Sequence, residues 1–210
     1  MKLPIISYID FFSHVLPIGT GLFHRTALLQ KERFIFFVFV CLAMITEIVT
    51  LCMAMEKMNN LWVLHIHHLL EFGLLMQIIS MWQRQPLFRK IWLISIPFFI
   101  IFWIISNLTI ESFFGPAEYS HVVFSGVLVF ASIYSLINLM KDESLILWKE
   151  IRFWITSGIL IYFGGNTVLF LFFDKIFALK TQDAITVWNI HWIIDTIVNV
   201  FYAIGFLCLG

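Results

Sequence analysis

Apolar residues run along this chain in blocks of about 20, the length a helix needs to cross hydrocarbon, and short clusters of charge separate the blocks. Seven can be marked: Pro4–Phe23, Arg33–Met53, Leu61–Met81, Ile91–Asn107, His121–Met140, Phe153–Phe173 and Ile185–Leu209. The pattern predicts an all-α polytopic membrane protein, a seven-transmembrane helix bundle forming one domain over residues 1–210. Span one departs most from the pattern, because it carries Asp10, His14 and Pro17. Those ionisable groups, and the lack of a small-residue cleavage site, argue against a secretory signal. The loops are too short for an extramembrane domain to fold alone. Lys141–Arg152 mixes Leu145, Leu147, Trp148 and Ile151 with charges and is expected along the membrane surface. Glu111–Ser120, with Gly115 and Pro116, reads as a plain turn.

Composition sharpens the class. Apolar residues make up 61% of the chain and charged ones 12%, which excludes a water-soluble fold. Thirteen Lys plus Arg balance thirteen Asp plus Glu, so nothing points to nucleic acid. Cys41, Cys52 and Cys208 lack CxxC spacing, so neither a disulfide framework nor a zinc knuckle is indicated. Basic residues are unevenly placed: Arg25, Lys31, Arg33, Arg84, Arg89, Lys90, Lys141, Lys149 and Arg152 follow spans one, three and five. Lys2, Lys57, Lys175 and Lys180 fall on the other side. Cytoplasmic retention of basic residues then puts the N-terminus outside and the C-terminus inside. Trp62 and Trp188 at outer ends, and Trp82, Trp92, Trp148 and Trp154 at inner ends, suit an interfacial belt.

Ionisable residues inside hydrocarbon cost roughly 2.5 to 3.5 kcal/mol each near its centre, which makes every one a functional candidate. Nine occur: Asp10 and His14 on span one, Glu47 on span two, His65, His67, His68 and Glu71 on span three, and His191 and Asp195 on span seven. At 1.5 Å of rise per residue they lie roughly 6 to 16 Å from the outer helix ends, all in the outer half. Asn166 on span six reaches similar depth beside Gly164 and Gly165, a pair that reads as a close-packing notch. On span seven His191, Asp195, Asn199 and Tyr202 fall within about 80° of one another. His65, His68, Glu71, His191 and Asp195 are expected to face one cavity between spans three and seven, with Asp10 or His14 at its edge.

Three readings of this cluster stand side by side. The groups could hydrogen-bond one another only to fix helix register. They could line an outward-facing pocket for a small ligand, a proton or a lipid headgroup. They could hold zinc or another transition metal, haem being less favoured, with His65, His68, His191 and Asp195 as the ligands. Seven-span zinc amidases of the alkaline ceramidase and adiponectin receptor type carry His-x-x-x-His on the last helix, where this chain has His191 and Asp195. A retinal protein needs a lysine in the last span, which has none between Ile185 and Leu209. Small seven-span sugar carriers carry paired Pro-Gln dipeptides, which are absent here.

Asn59-Asn60-Leu61 through His65 to Glu71-Phe72, the run Arg152–Gly165 with its Phe-Trp-Ile segment, and Ile197-Val198-Asn199 to Ala203–Phe206 give the chain a resemblance to small bacterial seven-span membrane proteins of unknown function. Similar segments precede cytoplasmic histidine kinase domains, which implies sensing or anchoring in a bacterial inner (cytoplasmic) membrane. No kinase follows Gly210, so the resemblance implies output through a separate cytoplasmic or membrane signalling partner. The leading expectation is therefore a receptor or sensor in signal transduction, or a non-catalytic membrane subunit. A metal-dependent membrane hydrolase comes next and a small carrier third; the lipid bilayer is the constant partner.

Overall fold

The computed structural model describes residues 4–116, 118–172, 175, 176, 179 and 181–208. The expected span ends at Phe173 and Leu209, and Lys2 and Lys180 of the charge count, lie outside the described residues. The helices are α1 Ile5–Ser13, α2 Val15–Phe23, α3 Lys31–Met55, α4 Leu61–Met81, α5 Pro86–Thr109, α6 Glu118–Met140, α7 Ile151–Leu171 and α8 Thr181–Leu207. With α1 and α2 taken as one span, seven helices among the described residues are long and apolar enough to cross a membrane.

Helix ends follow local chemistry more closely than they follow charge. Pro86 sits in the first turn of α5, where its missing N–H costs nothing, so the helix starts ahead of Arg89 and Lys90 and not at the expected Ile91. Charged residues in a first turn mark the edge of hydrocarbon; they do not stop the backbone. The Asn59 side-chain Oδ1 accepts the Leu61 N–H at 2.9 Å and opens α4. Lys57, at φ 55, closes α3: the Met58 N–H reaches the Met53 carbonyl at 2.9 Å and the Lys57 N–H the Ala54 carbonyl at 3.1 Å, a Schellman ending.

The break between α1 and α2 has a definite cause. Pro17 offers no N–H to the Ser13 carbonyl four residues back and crowds it. His14 at the break keeps helical angles, φ −60 and ψ −23, so the span bends there without ending.

Short connections make successive spans antiparallel, giving a bundle with a Lys57 end and an Arg84 end. The first span packs on α8, α8 on α7, α7 on α6, α6 on α4, α4 on α3, and α3 back on α2; α5 lies outside this ring against α4 and α6. Outward faces carry exposed Phe, Leu and Ile, such as Phe98, Ile101 and Phe130, as lipid contact requires. Toward the Arg84 end the ring is filled: Phe36 meets Tyr202 at 4.9 Å and Phe206 at 5.4 Å between ring centroids, while Leu75, Ile155 and Ile159 are fully buried. The segment between α6 and α7 holds one 3-10 turn, Leu147–Lys149, whose Trp148 is exposed and accepts the Trp154 indole N–H at its carbonyl.

Residues 111–116 are not the plain turn expected of them. Glu111 is buried, and its Oε1 accepts the Ser120 N–H at 2.8 Å, satisfying a donor in the first turn of α6. The Phe114 carbonyl accepts from Asn59 Nδ2 at 2.8 Å, and the Gly115 carbonyl lies 3.0 Å from His65 Nε2. The loop thereby folds back onto α4.

Candidate functional site

Where aromatic packing stops, the ring opens into a cavity of about 250 Å³ that reaches from Asn60 at the Lys57 end down to Phe39 and Tyr202. Seven of the nine singled-out ionisable residues line it: His14, Glu47, His67, His68, Glu71, His191 and Asp195, with Asn199 among them. Alignment of these groups at one depth is thus a property of the fold. The helices α4 and α8 are not close-packed neighbours; they face each other across the cavity.

Two small-residue positions hold the far wall. A Cβ on Gly158 would come within 2.5 Å of the buried Tyr202 ring at Cε1, so glycine is required there, while one on Gly165 would come within 2.7 Å of Ile194 Cδ1, a side-chain end that would have to turn aside. Gly164 has nothing within 4 Å of such an atom, so only the second half of the Gly164-Gly165 pair is a notch. This close approach lets His191 Nδ1 reach Asn166 Oδ1 at 3.1 Å. Asn166 is fully buried outside the cavity and orients a histidine that is inside it. With its Nδ1–H donated there, His191 turns an acceptor Nε2 toward the cavity side. His67 pairs with Thr46 Oγ1 at 3.1 Å through Nδ1 and stands 3.8 Å from Glu71 Oε2 through Nε2. Thr46, and not the neighbouring Glu47, therefore holds the α4 histidine.

His65 does not join them. Two positions separate it from His67, about 200° around a helix, so both cannot face one interior. Its ring is fully buried against Phe113, with Nε2 on the Gly115 carbonyl. The proposed ligand set His65, His68, His191 and Asp195 is consequently not assembled. The only group of three or more His, Cys, Asp or Glu among the described residues whose ligand atoms all lie within 4.8 Å of one another is Asp10, His14 and Asp195. There His14 Nε2 is 3.6 Å from Asp195 Oδ2, and His14 Nδ1 lies 3.2 Å from the Asp10 carbonyl and 3.3 Å from Asn199 Nδ2. Asn199 Nδ2 also donates to Ser13 Oγ at 2.9 Å.

Three further residues matter here that the apolar pattern does not single out. His121 is buried with neither ring nitrogen bonded among the described residues, its ring 4.7 Å from that of His68 and 3.7 Å from that of Phe170. As the first residue of span five it read as a boundary, yet α6 begins at Glu118 and sinks it a turn deeper. Tyr162 and Trp188 face the cavity from α7 and α8, so Trp188 is a wall residue and not merely part of an interfacial belt. No signal in composition separates such a tyrosine or tryptophan from a lipid-facing one.

No Lys or Arg lines the cavity among the described residues. Carboxylates, imidazoles and aromatic faces, with Thr46, Thr50, Asn60 and Asn199 between them, suit a cation or a hydrogen-bond donor better than an anion. No protein-family model matches this chain, and neither the curated proteins nor the solved structures compared with it include a match.

Proposed function

We propose that this protein is a membrane receptor or sensor, or the ligand-binding subunit of a membrane assembly, which takes a small organic cation into its cavity from the outer face. The observation that carries the reading is the lining itself. Glu47, Glu71 and Asp195 stand among Tyr162, Trp188 and Tyr202 with histidines but, among the described residues, no Lys or Arg beside them. Aromatic faces and carboxylates together favour an ammonium group. At about 30 Å³ per water, the space equals roughly eight waters, which suits a metabolite-sized amine.

The uneven basic residues support an N-terminus outside and the Lys57 end facing outward. Resemblance to segments preceding histidine kinases supports output to a signalling partner at the Arg84 end. A recess of about 170 Å³ there brings Arg84, Lys141 and Arg152 together with Asp142 and Trp82.

Purified protein in lipid nanodiscs, titrated with small primary amines and with matched carboxylic acids, tests the reading through melting temperature and tryptophan fluorescence. Amines should raise the melting temperature, acids should not, and Glu71→Gln should remove the effect. A response to acids equal to that to amines, or to no amine, contradicts it. A second reading, metal-dependent hydrolysis of a lipid or amide, is favoured by one observation, the Asp10, His14 and Asp195 group at the cavity wall. Cleavage of a fluorogenic amide by wild type but not by Asp195→Asn would support it.

A further inference from the structure

We infer that Asp10, His14 and Asp195 form a binding site for one first-row divalent metal ion at the wall of the cavity. The inference goes beyond the amine-receptor reading and does not require it. Its starting point is local sequence: Asp10 and His14 are spaced i, i+4, which brings their side chains to one face. Pro17 bends the span between them and α2, and α8 packs against both halves, bringing up Asp195. The three ligand atoms then fall within 4.8 Å of one another, so that small side-chain shifts would bring all three onto a single ion at about 2.0 to 2.2 Å.

Two features distinguish this group from a chance acidic cluster. Asp10 is 4% exposed; its carboxyl is in hydrogen-bonding contact with that of Asp195, and its Oδ1 has no hydrogen-bond partner among the described residues. A carboxylate in that position is costly unless a cation meets it, and two carboxylates this close need a shared proton or a positive charge between them. The lining supplies no Lys or Arg for that purpose among the described residues.

The second feature is the outer partner of the histidine. His14 Nδ1 lies 3.2 Å from the Asp10 carbonyl, and donation there leaves Nε2 as an unprotonated lone pair directed toward Asp195, 3.6 Å away. A ring proton given to a backbone carbonyl is what fixes metal-binding imidazoles. In the absence of metal the other tautomer is equally provided for: Nε2–H faces Asp195 and Asn199 Nδ2–H turns to Nδ1, 3.3 Å away. Asn199 thus lets the ring change tautomer without losing a partner.

One imidazole with two carboxylates suits zinc, manganese or iron in the divalent state better than copper(I) or a cluster, which want thiolates. His14 and Asp195 both line the cavity, so the remaining coordination positions would be open to water or to the cavity's ligand.

The test uses the full chain in nanodiscs, stripped with a chelator and reloaded with Co²⁺ or Zn²⁺. Mass spectrometry should find about one ion per chain, and Co²⁺ should give visible absorption bands that Zn²⁺ abolishes. Asp10→Asn and Asp195→Asn should each weaken Zn²⁺ binding at least 100-fold, while His65→Gln, outside the cavity, should retain it. Should Asp10→Asn fail to fold, Asp195→Glu decides: a ligand lengthened by one methylene shifts the Co²⁺ bands, and a carboxylate off the metal leaves them unmoved. Less than about a tenth of an ion per wild-type chain, or undiminished binding in both Asn variants, overturns the site. Amine titration of the same metal-free protein separates the readings: amine binding without metal uptake overturns this site alone, and metal uptake without amine binding overturns the receptor alone.

Discussion

Tyr202 reaches the floor of the cavity because residue 158 has no side chain. A methyl there would stand 2.5 Å from Cε1 and 3.1 Å from Cδ1 of a ring that is itself buried against Phe36. Gly158→Ala should therefore lower stability by about 1 to 3 kcal/mol, the range for overpacking, and reduce amine binding. Gly164→Ala, six residues on, should be neutral or stabilising by up to ~1 kcal/mol, since alanine gains helix propensity and meets nothing within 4 Å. Thermal unfolding of both variants in nanodiscs checks the pair. Asn166→Ala should cost about 0.5 to 1.5 kcal/mol by removing the hydrogen bond to the part-buried His191. The adjacent Gly164-Gly165 pair was legible in sequence as a notch, although only Gly165 serves as one. Gly158 gave no signal, because a lone glycine in an apolar run does not reveal what lies opposite. His121 was hidden for another reason: a polar residue at the first position of an apolar block marks a boundary by pattern, whatever it packs against.

Among elements, the first span shows how one residue aims others. Pro17→Ala restores a donor to the Ser13 carbonyl and removes the clash, so the span should straighten. The expected result is a more stable helix with weaker metal binding, because His14 would no longer meet Asp195; a melt and a Zn²⁺ titration on the same preparation read both effects. At the other turn Lys57 holds φ 55, where a β-carbon is unfavourable. Lys57→Gly should stabilise by about 0.5 to 1 kcal/mol, measured as a raised melting temperature. The seven spans themselves were legible because each hides the same length of backbone from hydrocarbon. Their ends shifted, as at α5, because charge reports where water begins and proline or asparagine reports where a helix begins. The 111–116 loop was misread because turn residues predict the turn, not the carbonyls it offers to Asn59 and His65.

At the level of the whole molecule, six spans form a ring that, among the described residues, is packed at the Arg84 end and holds the cavity toward the Lys57 end, with α5 attached outside. Depth along each helix was readable from residue numbers; rotation about each axis was not, which is why seven of nine ionisable residues line the cavity while His65 faces the loop. The two ends should differ in their response to acid. At the Arg84 end Asp142 joins the α4–α5 and α6–α7 connections, its carboxyl held below the ordinary 3.8 by the Ser144 hydroxyl and then by Arg84. A carboxyl whose folded value is depressed contributes fully above its unfolded value and loses that contribution as pH falls through the folded one. Melting temperature should thus show no dependence on this pair from neutrality down to about pH 4, and an acid-side decline below it that Asp142→Asn removes. The central claim is that the polar cavity admits a small cation from outside. Its most direct test is the labelling of Asn60→Cys at the cavity mouth, in a chain with Cys41, Cys52 and Cys208 replaced, by an impermeant thiol reagent on intact cells. The account predicts labelling that slows in the presence of an amine that raises the melting temperature. Labelling only after the cells are permeabilised, or at a rate that the amine leaves unchanged, would contradict it.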